Sequence, residues 1–179
     1  MKKLFNLILI ITSVFTSKIY AGALIEPFVG THLSSEIADE DDSYAVTGLF
    51  YGLKVGYQAS KVGVGLDYRT GTFSVEDTDD DLVSNTADLY LSFIASDAVR
   101  FWLQYNVYKD IYINQSPKYE YLADPQILLG LGFKVANHAS LNLEYTKTNV
   151  SETKLGSTEY DTDFYYQYIT LSLSFPFML

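Results

Sequence analysis

Eight charged residues fall where an alternating chain would place them on a single face: Glu26, Lys54, Asp67, Arg69, Asp88, Arg100, Lys134 and Glu144. Four are acidic and four basic. A balanced set of this kind does one of two things. It pairs off as buried ions, or it lines a path for mobile ones. A second constellation is His32 with Ser34 and Ser35 close behind it, the residue types of a nucleophile and its base. His138, the other histidine, lies in the tight link Asn137-His138 and reads as a solvated turn residue. Two acidic runs complete the inventory: Glu36, Asp39, Glu40, Asp41 and Asp42, then Glu76, Asp77, Asp79, Asp80 and Asp81. Hard divalent cations prefer such oxygen clusters, so Asp39, Asp41, Asp42, Asp77, Asp79 and Asp81 are candidate cation-binding residues. No EF-hand glycine or closing glutamate follows at the required spacing, and a solvated acidic rim is the simpler reading. No Walker loop, dinucleotide fingerprint or cysteine-based metal site is present, so no cofactor or resident metal is expected.

The elements that must position these groups are strands. Apolar residues recur at every second position along most of the chain, the period of a pleated strand. This predicts eight strands, at about 24–33, 46–58, 61–75, 86–95, 99–113, 125–136, 139–150 and from 163 onward. Ala59-Ser60, Ser96-Asp97-Ala98 and Asn137-His138 are links of hairpin length. Between them lie long connections, 34–45, 76–85, 114–124 and 151–162. Short and long links alternate, so they sort to opposite ends of an antiparallel array. A soluble sandwich has no reason for that sorting, whereas a transmembrane β-barrel with short periplasmic turns and long extracellular loops does.

One face of the strands is aliphatic and aromatic, as in Val62, Val64, Leu66 and Tyr68, or Phe101, Leu103 and Tyr105. The other mixes glycine, hydroxyls and the balanced charges. Register from the tight turns places Lys54 opposite Asp67 and Lys134 one diagonal from Glu144. Such pairing suits a narrow lumen, with lipid on the apolar side. Gly52, Gly56, Gly63, Gly65, Gly130 and Gly132 leave room for long side chains from across a small barrel. Tyrosines gather toward strand ends, among them Tyr57, Tyr68, Tyr105, Tyr145 and Tyr165, as aromatic girdles require. Tyr90, Tyr108 and Tyr166 fall by alternation on the inward face and are expected to fill the lumen.

The ends and the composition agree. Lys2 and Lys3, an apolar run from Leu4 to Phe15 and Ala21-Gly22-Ala23 form a secretory signal pattern. Cleavage is expected after Ala23, with Ala21 the second choice, leaving residues 24–179 as one barrel domain. The full chain of 179 residues carries a net charge of −10. Without Lys2, Lys3 and Lys18 it has 9 basic against 22 acidic residues, near −13, which repels nucleic acid. There is no cysteine, while 16 tyrosines and 11 phenylalanines against 4 prolines favour strand.

The last strand ends with Leu171, Leu173, Phe175, Phe177 and Leu179 at alternate positions. With the signal segment and eight strands, this resembles the small eight-stranded outer-membrane β-barrel family, which includes outer-membrane protein X and the transmembrane domain of outer-membrane protein A. The resemblance implies that these five residues form the C-terminal assembly signal, though the family's usual final aromatic is replaced by Leu179 and Pro176 interrupts the strand. It implies a Gram-negative outer membrane, contact with outer-membrane lipids including lipopolysaccharide, and transient contact with periplasmic chaperones and the barrel-assembly machinery. It implies a structural or surface-interaction role, in envelope integrity, adhesion or recognition through the acidic extracellular loops, with any extracellular partner unknown. A lumen of eight strands is about wide enough for its own side chains, so the paired charges are expected to plug it. The alternatives are a narrow conduit for small ions or hydrophobic solutes, and an outer-leaflet lipid-modifying enzyme. The enzyme reading depends on His32, because barrel lipid A deacylases and acyltransferases of similar size use a histidine with Ser or Asp.

Overall fold

A computed structural model describes residues 21–38, 43–76, 81–113 and 118–179. The period-2 segments form strands β1 (Ala21–Ala38), β2 (Ser43–Ala59), β3 (Val62–Val75), β4 (Asp81–Ser96), β5 (Val99–Ile113), β6 (Tyr119–Ala123), β7 (Ile127–Ala136), β8 (Ala139–Leu155), β9 (Thr158–Ser174) and β10 (Phe177–Met178). Each pairs antiparallel with its neighbours, and β9 and β10 both return to β1, closing the sheet into a ring. The ring has eight staves. β6 and β7 are successive pieces of one stave, both bonded to β5 and β8. β9 and β10 are pieces of another, interrupted at Phe175-Pro176, where proline has no N–H for the ladder. Following the cross-strand partners from Ile25 through Val55, Leu66, Leu89, Tyr105, Ile127, Lys147 and Gln167 returns to β1 at Glu36, eleven residues further on. That stagger tilts the staves by roughly 40° and leaves an interior just wide enough for side chains to fill.

The tight turns lie where the sequence places them, but the long connections are mostly strand. β1, β2, β8 and β9 run 17 or 18 residues, so 34–38, 43–45, 81–85, 151–155 and 158–162 extend the barrel wall instead of forming loops. Hairpin pairing continues almost to the tip of β8–β9, where Gly156 supplies the left-handed φ of +61° that a short turn requires.

Polarity inverts along the barrel axis. In the half nearer the tight turns the outward positions are apolar. On β2 these are Leu49, Tyr51, Leu53, Val55 and Tyr57, nine residues of strand, close to the roughly 9–11 that cross the hydrocarbon layer. Beyond that level the outward positions become Thr47, Thr72, Ser74, Lys147 and Asn149, while the interior becomes apolar. Val46, Phe50, Phe73, Leu82, Ile111 and Tyr166 form the buried cluster there. The lower half is a membrane barrel, polar within. The upper half has the polarity of a water-soluble barrel.

This division makes a direct prediction. Leu89 faces outward in the middle of the apolar band, so Leu89→Arg should destabilise the barrel in phospholipid by about 2–4 kcal/mol. Thr72→Arg, above the band, should change it by less than about 0.5 kcal/mol. Equal costs at the two sites in urea titrations would refute the boundary drawn here.

Candidate functional site

Ion pairs stacked in layers cross the lumen. In the lower layer Glu26, fully buried, accepts a bidentate pair from Arg100, at 2.7 Å (Nη1–Oε2) and 2.5 Å (Nη2–Oε1). Above it, adjacency on β2 and β3 sets Lys54 opposite Asp67. Lys54 Nζ lies 3.5 Å from Asp67 and 3.2 Å from Glu144. Arg69, two residues from Asp67 on the same face, donates to it at 2.8 Å and to Glu144 at 2.9 Å. Glu144 also accepts from Trp102 Nε1 at 3.1 Å and Thr170 Oγ1 at 3.3 Å. Gln104 Nε2 donates to Asp67 at 2.8 Å. Two carboxylates and two cations thus form one neutral, desolvated unit across the lumen axis. Geometry of this quality is what lets a low-dielectric interior hold ions.

Aromatic rings fill the space between the ions. Lys54 Nζ sits 4.3 Å and the Arg100 guanidinium carbon 5.0 Å from the centre of the Trp102 ring, an arrangement with cation–π attraction. The glycines opposite make the fit possible. A Cβ at Gly130 would fall within the Trp102 indole, and Cβ atoms at Gly56 and Gly65 would meet the Tyr90 ring.

Of the eight charges read from the sequence, six belong to the ion layers. Asp88 is buried one level up, accepting from Asn106 at 2.6 Å, with its other oxygen unpartnered. Lys134 stands apart. Gly130 opposes Glu144, and Lys134 pairs with Ser140 at the exposed tight-turn mouth, four residues from Glu144 instead of one diagonal away. Lys109 takes a place in the lumen that alternation assigns to the outer face, donating to Gln126 at 2.6 Å and to Thr148. Tyr108 correspondingly turns outward, paired with Ala87, instead of filling the lumen. A bulge at Val107 shifts the phase of β5 by one residue and causes both changes. Tyr90 and Tyr166 are buried inside as expected.

His32 lies above the ion layers, stacked between Phe73 at 4.4 Å and Tyr168 at 5.0 Å between centroids. Its Nε2 is 3.5 Å from Tyr166 Oη. Its Nδ1 and Ser35 Oγ are both buried, and Ser34 follows the outward phase of the strand, opposite Ile169. The histidine therefore sits in an aromatic stack, with the Tyr166 hydroxyl at its Nε2. His138 stacks on Phe177 at the tight-turn end.

Outside the membrane band, Glu36 accepts from Ser43 and Gln167, and these hydrogen bonds hold its carboxyl below the usual range. Near the β8–β9 tip, hydrogen bonding to Glu159 at 2.7 Å raises Lys154, and the same bond lowers Glu159. Of the candidate cation-binding acids, Asp39, Asp41, Asp42, Asp77 and Asp79 lie outside the described residues. Asp81 begins β4 and accepts from Ser74. Among the described residues no three acidic or histidine side chains gather as metal ligands do. Leu171, Leu173, Phe175, Phe177 and Leu179 all follow the outward phase at the end of the chain.

No protein-family profile and no curated protein matches the sequence. Solved structures do match the fold. The crystal structure of Neisserial surface protein A is similar over 88% of this chain and 99% of its own, with 11% identity and a TM-score of 0.57. Ail, the attachment invasion locus protein of Yersinia pestis, crystallised with the heparin analogue sucrose octasulfate, is similar over 87% of this chain and 99% of its own. Its identity is 13% and its TM-score 0.56. Both are small eight-stranded outer-membrane β-barrels, and the chain shares their fold.

Proposed function

We propose that this chain is a non-enzymatic outer-membrane protein of a Gram-negative bacterium, with a lumen closed to solutes and a structural and recognition role at the cell surface. The observation that carries the reading is the neutral ion unit across the lumen. Asp67 and Glu26 are 0% exposed and Glu144 2%, whereas a conducting path keeps its charges hydrated. The basic start at Lys2 and Lys3 and the apolar run from Leu4 to Phe15 support export. The tight turns then face the periplasm, and the polar-walled half projects outward past the membrane. The apolar band meets outer-membrane lipids and the base of the lipopolysaccharide layer, and the C-terminal strand would be what periplasmic chaperones and the barrel-assembly machinery engage.

The surface partner is constrained by charge. Glu36, Asp81, Glu120 and Glu152 belong to the projecting wall, with Lys118, Lys147 and Lys154 too few to balance it together with the acidic 39–42 and 77–80 segments. A polysulfated ligand such as the one bound to Ail would be repelled, so a basic or neutral partner fits better.

Planar-bilayer recording of the refolded protein tests the closed lumen. We expect no stable conductance steps. Steps that appear reproducibly and change size in Arg100→Ala would sink the reading. The non-enzymatic part is tested separately: cells overproducing the protein should have an unaltered lipid A profile, the same as with His32→Ala. A modified lipid A that disappears in that variant would establish an enzyme.

A further inference from the structure

The apolar interior of the projecting half encloses a cavity of about 210 Å³. Every stave of the barrel contributes to its wall, so it lies on the barrel axis. Ile37 comes from β1, Leu82 from β4, Ile111 from β5, Val150 from β8, and Phe164 and Tyr166 from β9. All ten lining residues among those described are Ile, Leu, Val, Phe or Tyr. The membrane does not account for such a lining, because the outer wall at this level is polar and stands in water. Nor is it needed to seal the lumen, since the ion layers below do that.

We infer that this chamber is a binding site for a small, neutral, largely apolar molecule, of about the size of a substituted benzene ring. Size, wall and rim select this class. An engineered apolar cavity of roughly 150 Å³ stays dry and takes up benzene, and this one is somewhat larger. The wall offers no charged group to a ligand ion, so an ion would lose its hydration for nothing. The acidic wall around the chamber disfavours anions further. The four aromatic rings, Tyr44, Tyr121, Phe164 and Tyr166, favour an aromatic guest through edge and face contacts. Beneath the chamber, Phe73, His32 and Tyr168 stack across the lumen above the ions, separating the site from the ion layers. Binding there is independent of the closed-lumen reading, and a conductance result does not bear on it.

The test is methyl NMR on the whole protein in phosphatidylcholine nanodiscs, with toluene as probe. The methyl groups of Ile37, Ile111 and Ile113, all in the chamber wall, should shift saturably. Those of Leu66 and Leu91, in the lipid-facing band, should move only in proportion to toluene dissolved in the bilayer. Benzoate at the same concentrations should give no saturable shift, and Leu82→Trp should weaken toluene binding at least tenfold. Chamber shifts that merely parallel Leu66, equal saturation by benzoate, or indifference to Leu82→Trp would each overturn the assignment. So would a saturable response to an aromatic-bearing peptide with none to toluene, which would make the chamber a protein-docking site. If Leu82→Trp does not run as a compact species on unboiled gels, Val150→Phe replaces it as the filling variant.

Discussion

Glu144→Ala should destabilise the folded barrel by about 3–5 kcal/mol, the cost of breaking a buried ion pair from one side. Glu144 accepts from Lys54, Arg69, Trp102 and Thr170. Its removal leaves two cations facing the single carboxylate of Asp67 in a space with little water. Arg69 and Lys54 are themselves buried. Glu144→Gln should cost less, because it retains acceptor and size while losing the charge. Lys134→Ala, at the exposed mouth, should cost less than about 0.5 kcal/mol. Urea titrations of the three variants refolded in phospholipid vesicles give the comparison. If Glu144→Ala and Lys134→Ala unfold at the same midpoint, the layered ions do not hold the lumen shut.

The second large effect is steric. Gly130→Val should prevent the barrel from closing, or cost well beyond the about 1–3 kcal/mol typical of overpacking. The reason is Trp102, whose indole occupies the volume where a Cβ at position 130 would stand. The two residues face each other across β5 and β7, so neither backbone can shift without breaking the ladder. Trp102→Ala alone should cost about 3–5 kcal/mol. Combined with Gly130→Val it should cost clearly less than the two separate losses, a coupling of at least about 1 kcal/mol between residues in contact. Unboiled gel mobility reports closure. A Gly130→Val protein that folds like the parent would mean the indole has room to swing away.

These two residues also show how far the sequence could be read. Gly130 and Glu144 were placed inward by alternation alone, and the Lys54–Asp67 register followed from the tight turn between β2 and β3. Alternation works because one face meets lipid and the other a narrow polar interior, so a slip of one residue would exchange the two. It failed where the phase itself slips. The bulge at Val107 put Lys109 inside and Tyr108 outside, and nothing in Tyr105-Asn106-Val107-Tyr108 announces an extra residue. Lys134 was misplaced for a different reason. Parity aims it inward, but the lumen has already opened to solvent at that height, and parity contains no depth. The long connections lack an apolar outward face, so they fall outside the segments that alternation marks as strands. In the projecting half, polar outward residues are what a strand in water requires, so the composition signal for loop and for extramembrane strand is the same. The inverted upper interior was hidden by that assumption.

The seam of the ring has a consequence for how the protein is made. β1 is bonded to β9 and β10 across nearly the whole chain, from Leu24 with Met178 to Ala38 with Tyr165. Hairpins elsewhere in the barrel join residues close in sequence and can form as soon as both strands exist. The seam is the most non-local pairing in the molecule, and such pairings are slow because the loop they close is long. During assembly the first strand must wait for the last, with its hydrogen-bonding edge open to other chains. The rate of ring closure, rather than of hairpin formation, should therefore set how long the nascent barrel remains prone to mispairing.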